Sequence, residues 1–136
     1  MEIRMYRHGE GDFWQRMGPF MASAAVRREL GAPISSDEKT IWWLAINDAG
    51  ETVGFVAAHL TKSGAQLRHD YVVPQAREQG VYRALAEARM AYLKAQGVKS
   101  ARATVNGNSL PVYTSLGFRE VSRRGKWVVV AWGEGA

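Results

Sequence analysis

The spacing of hydrophobic and polar positions changes several times along the chain, and each change marks an element. EIRMYR (residues 2–7) alternates as a first strand does. From Asp12 to Leu30 the apolar residues Phe13, Met17, Phe20, Met21, Ala24, Ala25 and Leu30 recur at helical spacing. Gly18-Pro19 predicts a break into two short helices, because proline cannot continue the turn before it. GAPISSDEK (31–39) is loop chemistry. IWWLAI (41–46), TVGFVAAHL (52–60) and AQLRHDYVV (65–73) are rich in β-branched and aromatic residues and separated by short turn sets. They predict a three-stranded antiparallel meander, ended by Pro74. The strongest helical stretch is 78–96, with Val81, Ala84, Leu85, Ala88 and Tyr92 on one face and Gly97 as its terminating glycine.

A strand over Ser100–Val105 follows, then a short helix capped by Asn108 or Ser109 and running to Leu116. Strands over Phe118–Ser122 and Trp127–Trp132, joined by the basic turn RRGK, complete the chain. The order β-α-α-β-β-β-α-β-α-β-β defines an α+β class with one β-α-β crossover after the meander. A single domain over residues 1–136 is expected from that length.

Composition narrows the classes further. With 46% hydrophobic and 23% charged residues the chain is ordinary globular material, which argues against disorder and fibrous repeats. No run approaches the roughly 18–20 apolar residues of a membrane span, and the charged start MEIRMYRHGEGD lacks the apolar stretch of a signal peptide. A soluble, cytoplasmic protein with no membrane partner is expected. The absence of cysteine excludes disulfides, thiolate nucleophiles and cysteine-ligated metals, and no metal is expected. The net charge of +5 is unevenly placed: residues 1–76 hold eight Lys/Arg against nine Asp/Glu, residues 77–126 ten against three. A basic half suits an anionic partner, either a nucleic acid or a phosphorylated small molecule. Arg89, Lys94 and Lys99 read singly as solvated charges.

Two constellations carry chemistry. In the first, a strand ending Val72-Val73-Pro74 leads through Arg77-Glu78-Gln79-Gly80 into the long helix. The first N–H groups of a helix lack internal partners and its dipole favours anions, while Gly80 allows close approach by a phosphate. In the second, Asn106 is followed seven residues later by Tyr113 and then by Gly117-Phe118.

Together, VVPQAREQGVYRAL and NGNSLPVYTSLGF make the chain resemble the GNAT acyltransferase superfamily over residues 41–130. The family's phosphate-binding signature, Arg/Gln-x-x-Gly-x-Gly/Ala, reads here as Arg77, Gly80 and Tyr82; the tyrosine departs from the small residue preferred there. The resemblance implies a mixed, mostly antiparallel twisted sheet with helices on both faces, and direct acetyl transfer from acetyl-CoA to an amine without a covalent enzyme intermediate. It implies that main-chain groups of Val72 and Val73 meet the pantetheine arm and the carbonyl oxygen. Arg77 and the N–H groups of Gln79, Gly80, Val81, Tyr82 and Arg83 would hold the pyrophosphate. Asn106 or Asn108 would take the family's asparagine role, and Tyr113 would be the general acid toward the sulfur, with an unperturbed pKa of about 10.

For the base, Asp70 is the first candidate, directly or through water. Pairing with Arg68 or Arg4 is its structural alternative, and proton loss to water without a base is a third route. His69 and His59 are further candidates. The acceptor, a small-molecule or peptide amine, is expected between the N-terminal helices and the meander. Phe13, Trp14, Phe20, Met21, Trp42 and Trp43 could line that pocket, with core the favoured place for most of them; Asp12, Glu29, Asp37 and Glu38 would attract an ammonium group, with surface solvation the favoured reading for each. A homodimer through the final strand is a candidate assembly. Two other readings compete: a non-catalytic CoA- or nucleic-acid-binding module using Arg123, Arg124, Lys126 and Trp127, and an acetyltransferase acting on charged tRNA. Nucleic acid is the less favoured partner.

Overall fold

One seven-stranded mixed sheet organises the computed structural model, which describes residues 1–134; residues 135–136, the end of the expected domain, lie outside the described residues. Its strands are β1 (Glu2–Arg7), β2 (Thr40–Ile46), β3 (Thr52–Thr61), β4 (Gly64–Val72), β5 (Ser100–Val105), β6 (Arg119–Arg124) and β7 (Trp127–Gly133). They lie in the order β1-β2-β3-β4-β5-β7-β6, and every neighbouring pair is antiparallel except β4–β5. That parallel pair is joined across α3 (Val81–Ala95), as a parallel connection requires. Helices α1 (Phe13–Met21) and α2 (Ala24–Leu30) cover one face, α3 and α4 (Leu110–Ser115) the other. The expected α+β architecture and element order are those observed. No helix among the described residues is long and apolar enough to cross a membrane.

Two cores follow from the strand period. Trp42 and Leu44 of β2 point to the α1/α2 side and pack with Tyr6, Phe13, Met17 and Phe55. Ile41, Trp43 and Ala45 point to the other side and pack with Leu85, Met90 and Leu93 of α3. Every residue of β2 is therefore buried, which explains why its sequence is continuously apolar rather than alternating.

Three local expectations differ from what is observed. Helix α1 runs through Pro19 and ends at Met21, and Ser23 then caps α2 by accepting the Val26 N–H at 3.2 Å. Pro19 removes only a bond on the exposed side of α1, where water can serve the freed carbonyl. Helix α3 starts at Val81, not 78, because Glu78 and Gly80 hold positive φ values of 62° and 82°. The final strand β7 is interior, hydrogen-bonded to β5 and β6, so it cannot pair across a dimer as expected; the outer strands are β1 and β6.

Two irregularities shape the cleft. A bulge falls opposite the Phe55–Ala57 stretch of β3, where His69 takes φ 60°. It moves Asp70 and Val72 onto the same face as Leu67, where strict alternation from Leu67 would set them opposite. And β4 pairs with β5 only at Ala65–Ala101 and Gln66–Arg102; beyond Gln66 the two strands diverge.

Candidate active site

The divergence of β4 from β5 opens a cleft of about 1560 Å³ that passes from the α3/α4 side to the α2 side of the sheet. Its β4 wall runs from Gln66 to Val72, its β5 wall from Arg102 to Asn106. Because no strand pairs with β4 here, its cleft-side N–H groups have no strand partner, while the Val72 carbonyl accepts from Arg77. The N–H of Val73 is turned away, donating to Val53 at 2.9 Å, so alternation directs the Val72 N–H toward the cleft.

At the end of β4 the chain makes a single 3-10 turn at Pro74–Ala76 and then the Arg77–Gly80 turn. Gly80 sits at the N-cap of α3 with a left-handed backbone, a conformation that glycine adopts without strain. Among the described residues, no backbone N–H from Glu78 to Arg83 has a hydrogen-bond acceptor; Ala84 is the first to bond, to the Gly80 carbonyl at 3.0 Å. Six consecutive free donors at the positive end of a 15-residue helix make an anion cradle.

The expected side chains are distributed as follows. Arg77, Gly80, Val81, Tyr82 and Arg83 line the cleft, with Val72, Asn106, Asn108, Asp70 and Tyr113. Gln79 is directed elsewhere, its amide donating to the Gln75 carbonyl at 3.2 Å. Arg77 donates from Nε to the Val72 carbonyl at 2.8 Å and from Nη2 to Glu29 at 2.5 Å. Arg83 donates to Ser115 Oγ at 2.8 Å. Asn106 Oδ1 accepts the N–H groups of Asn108 and Ser109 and so holds the loop before α4.

Deep in the cleft lies a cluster that sequence reasoning assembled only in part. Arg89, read from the sequence as a solvated charge, is fully buried at 0% exposure. Its Nη1 and Nη2 donate to Asp70 Oδ1 and Oδ2 at 2.7 and 3.0 Å, and Nη1 also donates to the Ala57 carbonyl at 3.0 Å. Asp70 thus pairs with an arginine, but with neither Arg68 nor Arg4. The hydroxyls of Tyr82, at 2.6 Å, and of Tyr113 both donate to Asp70 Oδ2. Arg89 Nη2 in turn donates to the Tyr113 oxygen at 2.7 Å. The bulky residue at position 82 therefore closes a network of two phenols, a carboxylate and a guanidinium. The missed signal was position: Arg89 falls four residues after Leu85 and four before Leu93, both fully buried on α3.

Electrostatics act on three members of this cluster, Arg89, Tyr82 and Tyr113. Burial works against the Arg89 charge, but Asp70 and the two phenols outweigh it and hold the guanidinium above its ordinary value. Burial pushes the Tyr113 phenol up, with Arg89 opposing and Asp70 adding to the rise. Tyr82 is raised by burial and then by Asp70 and Tyr113. Both phenols stay neutral across the physiological range.

His69 leaves this cluster through the bulge, stacking on Trp42 with centroids 5.5 Å apart and accepting the Ser35 N–H at 3.4 Å. Burial, with Arg68 adding, lowers its pKa from about 6.5 against the opposing pull of Asp70. A base with a depressed folded pKa contributes stability that is full above about pH 6.5 and lost as pH falls through the folded value. The urea midpoint is expected to drop between pH 7.5 and 5.5, and His69→Phe, which keeps the stack, should flatten that drop. An unchanged drop in the variant would assign the acid sensitivity elsewhere.

Most of the aromatic residues named for the acceptor pocket are core, the reading favoured for them. Phe13, Trp42 and Trp43 are buried, Trp42 and Trp43 on opposite faces of the sheet, and Trp14, 49% exposed, lies away from the cleft. Of the acids expected there, Asp12 bonds Tyr6 and Arg16, Asp37 bonds Lys39 and Thr40, and only Glu29 reaches the cleft.

Comparison with known proteins places this geometry. The family model described as an acetyltransferase (GNAT) domain matches residues 10–128, so the chain belongs to the GNAT acetyltransferase family. A search of curated proteins finds no match. Among solved structures, the ribosomal-protein-S18-alanine N-acetyltransferase of Escherichia coli is similar with a TM-score of 0.72 at 20% identity, covering 99% of each chain. A GNAT-family acetyltransferase of Staphylococcus aureus Mu50 is similar at 0.70 with 16% identity, covering 97% of this chain and 99% of the other. The PaiA N-acetyltransferase of Thermoplasma acidophilum, in complex with coenzyme A, is similar at 0.67 with 14% identity, over 98% and 99% of the two chains. At these identities the likeness is one of fold.

Proposed function

We propose that the protein is a cytoplasmic enzyme that transfers an acetyl group from acetyl-CoA directly to a primary amine of a small molecule or peptide, both substrates meeting in the cleft. The observation that carries this reading is two sets of unpaired backbone donors on one wall of the cleft, at the open β4 edge at Val72 and from Glu78 to Arg83 at the head of α3. The amides of a pantetheine arm suit an open strand edge, and a pyrophosphate suits the N–H groups of Glu78 to Arg83. The fit extends to side chains: Arg83, and Arg77 through its exchangeable pair with Glu29, offer guanidinium groups on one wall, and Asn106 and Asn108 stand on the other. Acetyl-CoA would supply an activated acyl group; the rest of the chemistry belongs to the protein.

In this reading Val72 offers its main-chain N–H to the arm, while Val73, its amide held by Val53, keeps the β4 end in place. Tyr113 gives a proton to the departing sulfur. Its hydroxyl is neutral, and Arg89 Nη2 already donates to the phenol oxygen, where negative charge grows as the proton leaves. Asp70 accepts four hydrogen bonds, from two phenols and both guanidinium nitrogens. So occupied, it serves best as the group that positions Tyr113 and Tyr82, and the amine loses its proton to water in the cleft.

Isothermal titration with acetyl-CoA tests the donor side. One-to-one binding is expected, weakened roughly tenfold or more in Arg77→Ala, the value of a charge-assisted hydrogen bond of about 1.5–3 kcal/mol. Because that change also frees Glu29, the Arg77→Ala/Glu29→Gln pair separates lost attraction from new repulsion. Absence of binding at millimolar acetyl-CoA would sink the reading.

A further inference from the structure

The far side of the cleft opens onto a part of the sheet that no helix covers. Helices α1 and α2 pack over Tyr6, Trp42, Leu44, Phe55 and Ala57, that is over β1, β2 and β3, and leave the same face of β5, β7 and β6 bare. Register fixes what that bare face presents. On β5, Ala101, Ala103 and Val105 belong to the α3 core, so Arg102 and Thr104 face the open side. Arg102 pairs across β7 with Ala131, which pairs with Arg119 of β6; Trp127 pairs with Arg124. Arg68 stands beside them on the β4 wall of the cleft.

Arg68, Arg102, Arg119 and Arg124 therefore share one face, and among the described residues none has a carboxylate partner. Three of the acids around the cleft and the face are held by other arginines, while Glu78, at the head of α3, lies at the opposite end of the cleft. Glu29 is bound by Arg77, Asp70 by Arg89, and Glu120, across from Val130 on the opposite face, by Arg123. The acceptor side of the cleft is thus a field of unpaired guanidinium groups, the reverse of what a free cationic amine would need.

We infer that the acceptor amine is carried by an acidic polypeptide segment, which enters the cleft past Arg68 and Arg102 and lies across the bare face toward Arg119 and Arg124. The inference rests on the acetyl-transfer reading and names its substrate class. A small anion is satisfied by one or two guanidinium groups, which Arg68 and Arg102 provide; Arg119 and Arg124, on the outer strand, reach only a longer polyanion. Strands lie ~4.8 Å apart, so Arg102 and Arg119 are roughly 10 Å apart at the backbone, a span that an extended peptide with acidic side chains every ~7 Å can bridge. A polypeptide also supplies the aliphatic amine that the reaction needs. Single-stranded nucleic acid is less suited, because it needs open aromatic platforms. The aromatic side chain on this face, Trp127, is a single half-buried ring: Lys126 Nζ lies 5.3 Å from its ring centroid, and its edge packs against Gly31, where a Cβ would come within 3.3 Å of it.

The test is fluorescence anisotropy without acetyl-CoA, on a ten-residue peptide with a free α-amino group and alternating Asp and Ser. A peptide with Asn for every Asp and a ten-nucleotide oligouridylate serve as controls. The Asp peptide is expected to bind at least tenfold tighter than the Asn peptide at 50 mM salt, with the gap closing at 500 mM. Arg119→Glu/Arg124→Glu, at positions outside the cleft lining, should remove most of that preference while acetyl-CoA affinity, measured separately, is unchanged; should that variant fail to fold, Arg119→Gln/Arg124→Gln is expected to lose part of the preference. Equal binding of the two peptides, a preference that survives the substitutions, or tighter binding of the oligouridylate would each overturn the inference. Because peptide binding is read without the donor, a preference that stands while acetyl-CoA fails to bind overturns the transfer reading and keeps the surface.

Discussion

Methionine in place of Arg89 is expected to lower the unfolding free energy by about 3–5 kcal/mol, the usual cost of removing one partner from a buried ion pair. Arg89 is fully buried and the Asp70 side chain is 15% exposed, so in the variant a carboxylate remains inside with its counter-charge gone. Tyr82 and Tyr113 can still donate to it, but two phenol hydrogen bonds do not replace a bidentate guanidinium. The paired change Arg89→Met/Asp70→Leu should recover a substantial part of the loss, since no charge is then left buried; the two tyrosine hydroxyls, deprived of their acceptor, keep the recovery incomplete. Arg89 Nε, buried without a partner, adds to the cost of keeping the native arginine. Urea denaturation with a common m-value measures all three. A single-variant loss under about 1 kcal/mol would show that the pair contributes little beyond shape.

Tyr113→Phe is expected to lower kcat by about 100- to 10,000-fold, the range for loss of a general acid, with the KM for acetyl-CoA nearly unchanged. Tyr82→Phe, which removes a second donor to Asp70, should act more weakly. If Tyr82→Phe costs the larger factor and Tyr113→Phe keeps kcat within about threefold, the acid is Tyr82. The pH dependence provides an independent check. The Tyr113 phenol is raised above its ordinary value of about 10, so it imposes no alkaline limb on the rate below that pH. A phenol whose folded pKa is raised contributes stability that is fully present below the unfolded value and lost as pH rises through the folded one. Unfolding by alkali should thus steepen above about pH 10 in the parent and less in Tyr113→Phe.

The element order was legible because it is written in local signals. Strand runs, turn sets and the glycine after α3 act over a few residues, and the observed bounds of β5, Ser100–Val105, coincide with the expected ones. The turn proposed for the donor was legible for the same reason: its groups are backbone N–H groups from Glu78 to Arg83, placed by the local sequence whatever the side chains do. Tyr113, seven residues after Asn106, was visible as a spacing. The partner of Asp70 was not, since Arg89 lies 19 residues away and only the packing of α3 on the sheet brings it there. The apolar face read for α3 included Ala84, Ala88 and Tyr92, which are half-buried; the fully packed stripe is rotated to Leu85, Ala86, Arg89, Met90 and Leu93.

By itself, then, the sequence determined which segments become helices and strands, where the glycine turn with free N–H groups before α3 lies, and that a phenol stands downstream of it. These depend on periodicity and on backbone chemistry, both local. The tertiary structure alone decided three other features. A bulge at His69 turns Asp70 to the α3 side, where burial and the Arg89 guanidinium commit it to an ion pair. The parting of β4 from β5 after two residue pairs makes the cleft. The interior place of β7 sets Arg102, Arg119 and Arg124 on one face, Arg102 level with Arg119 and Arg124 at the other end of β6, because register between strands far apart in sequence decides which way each side chain points.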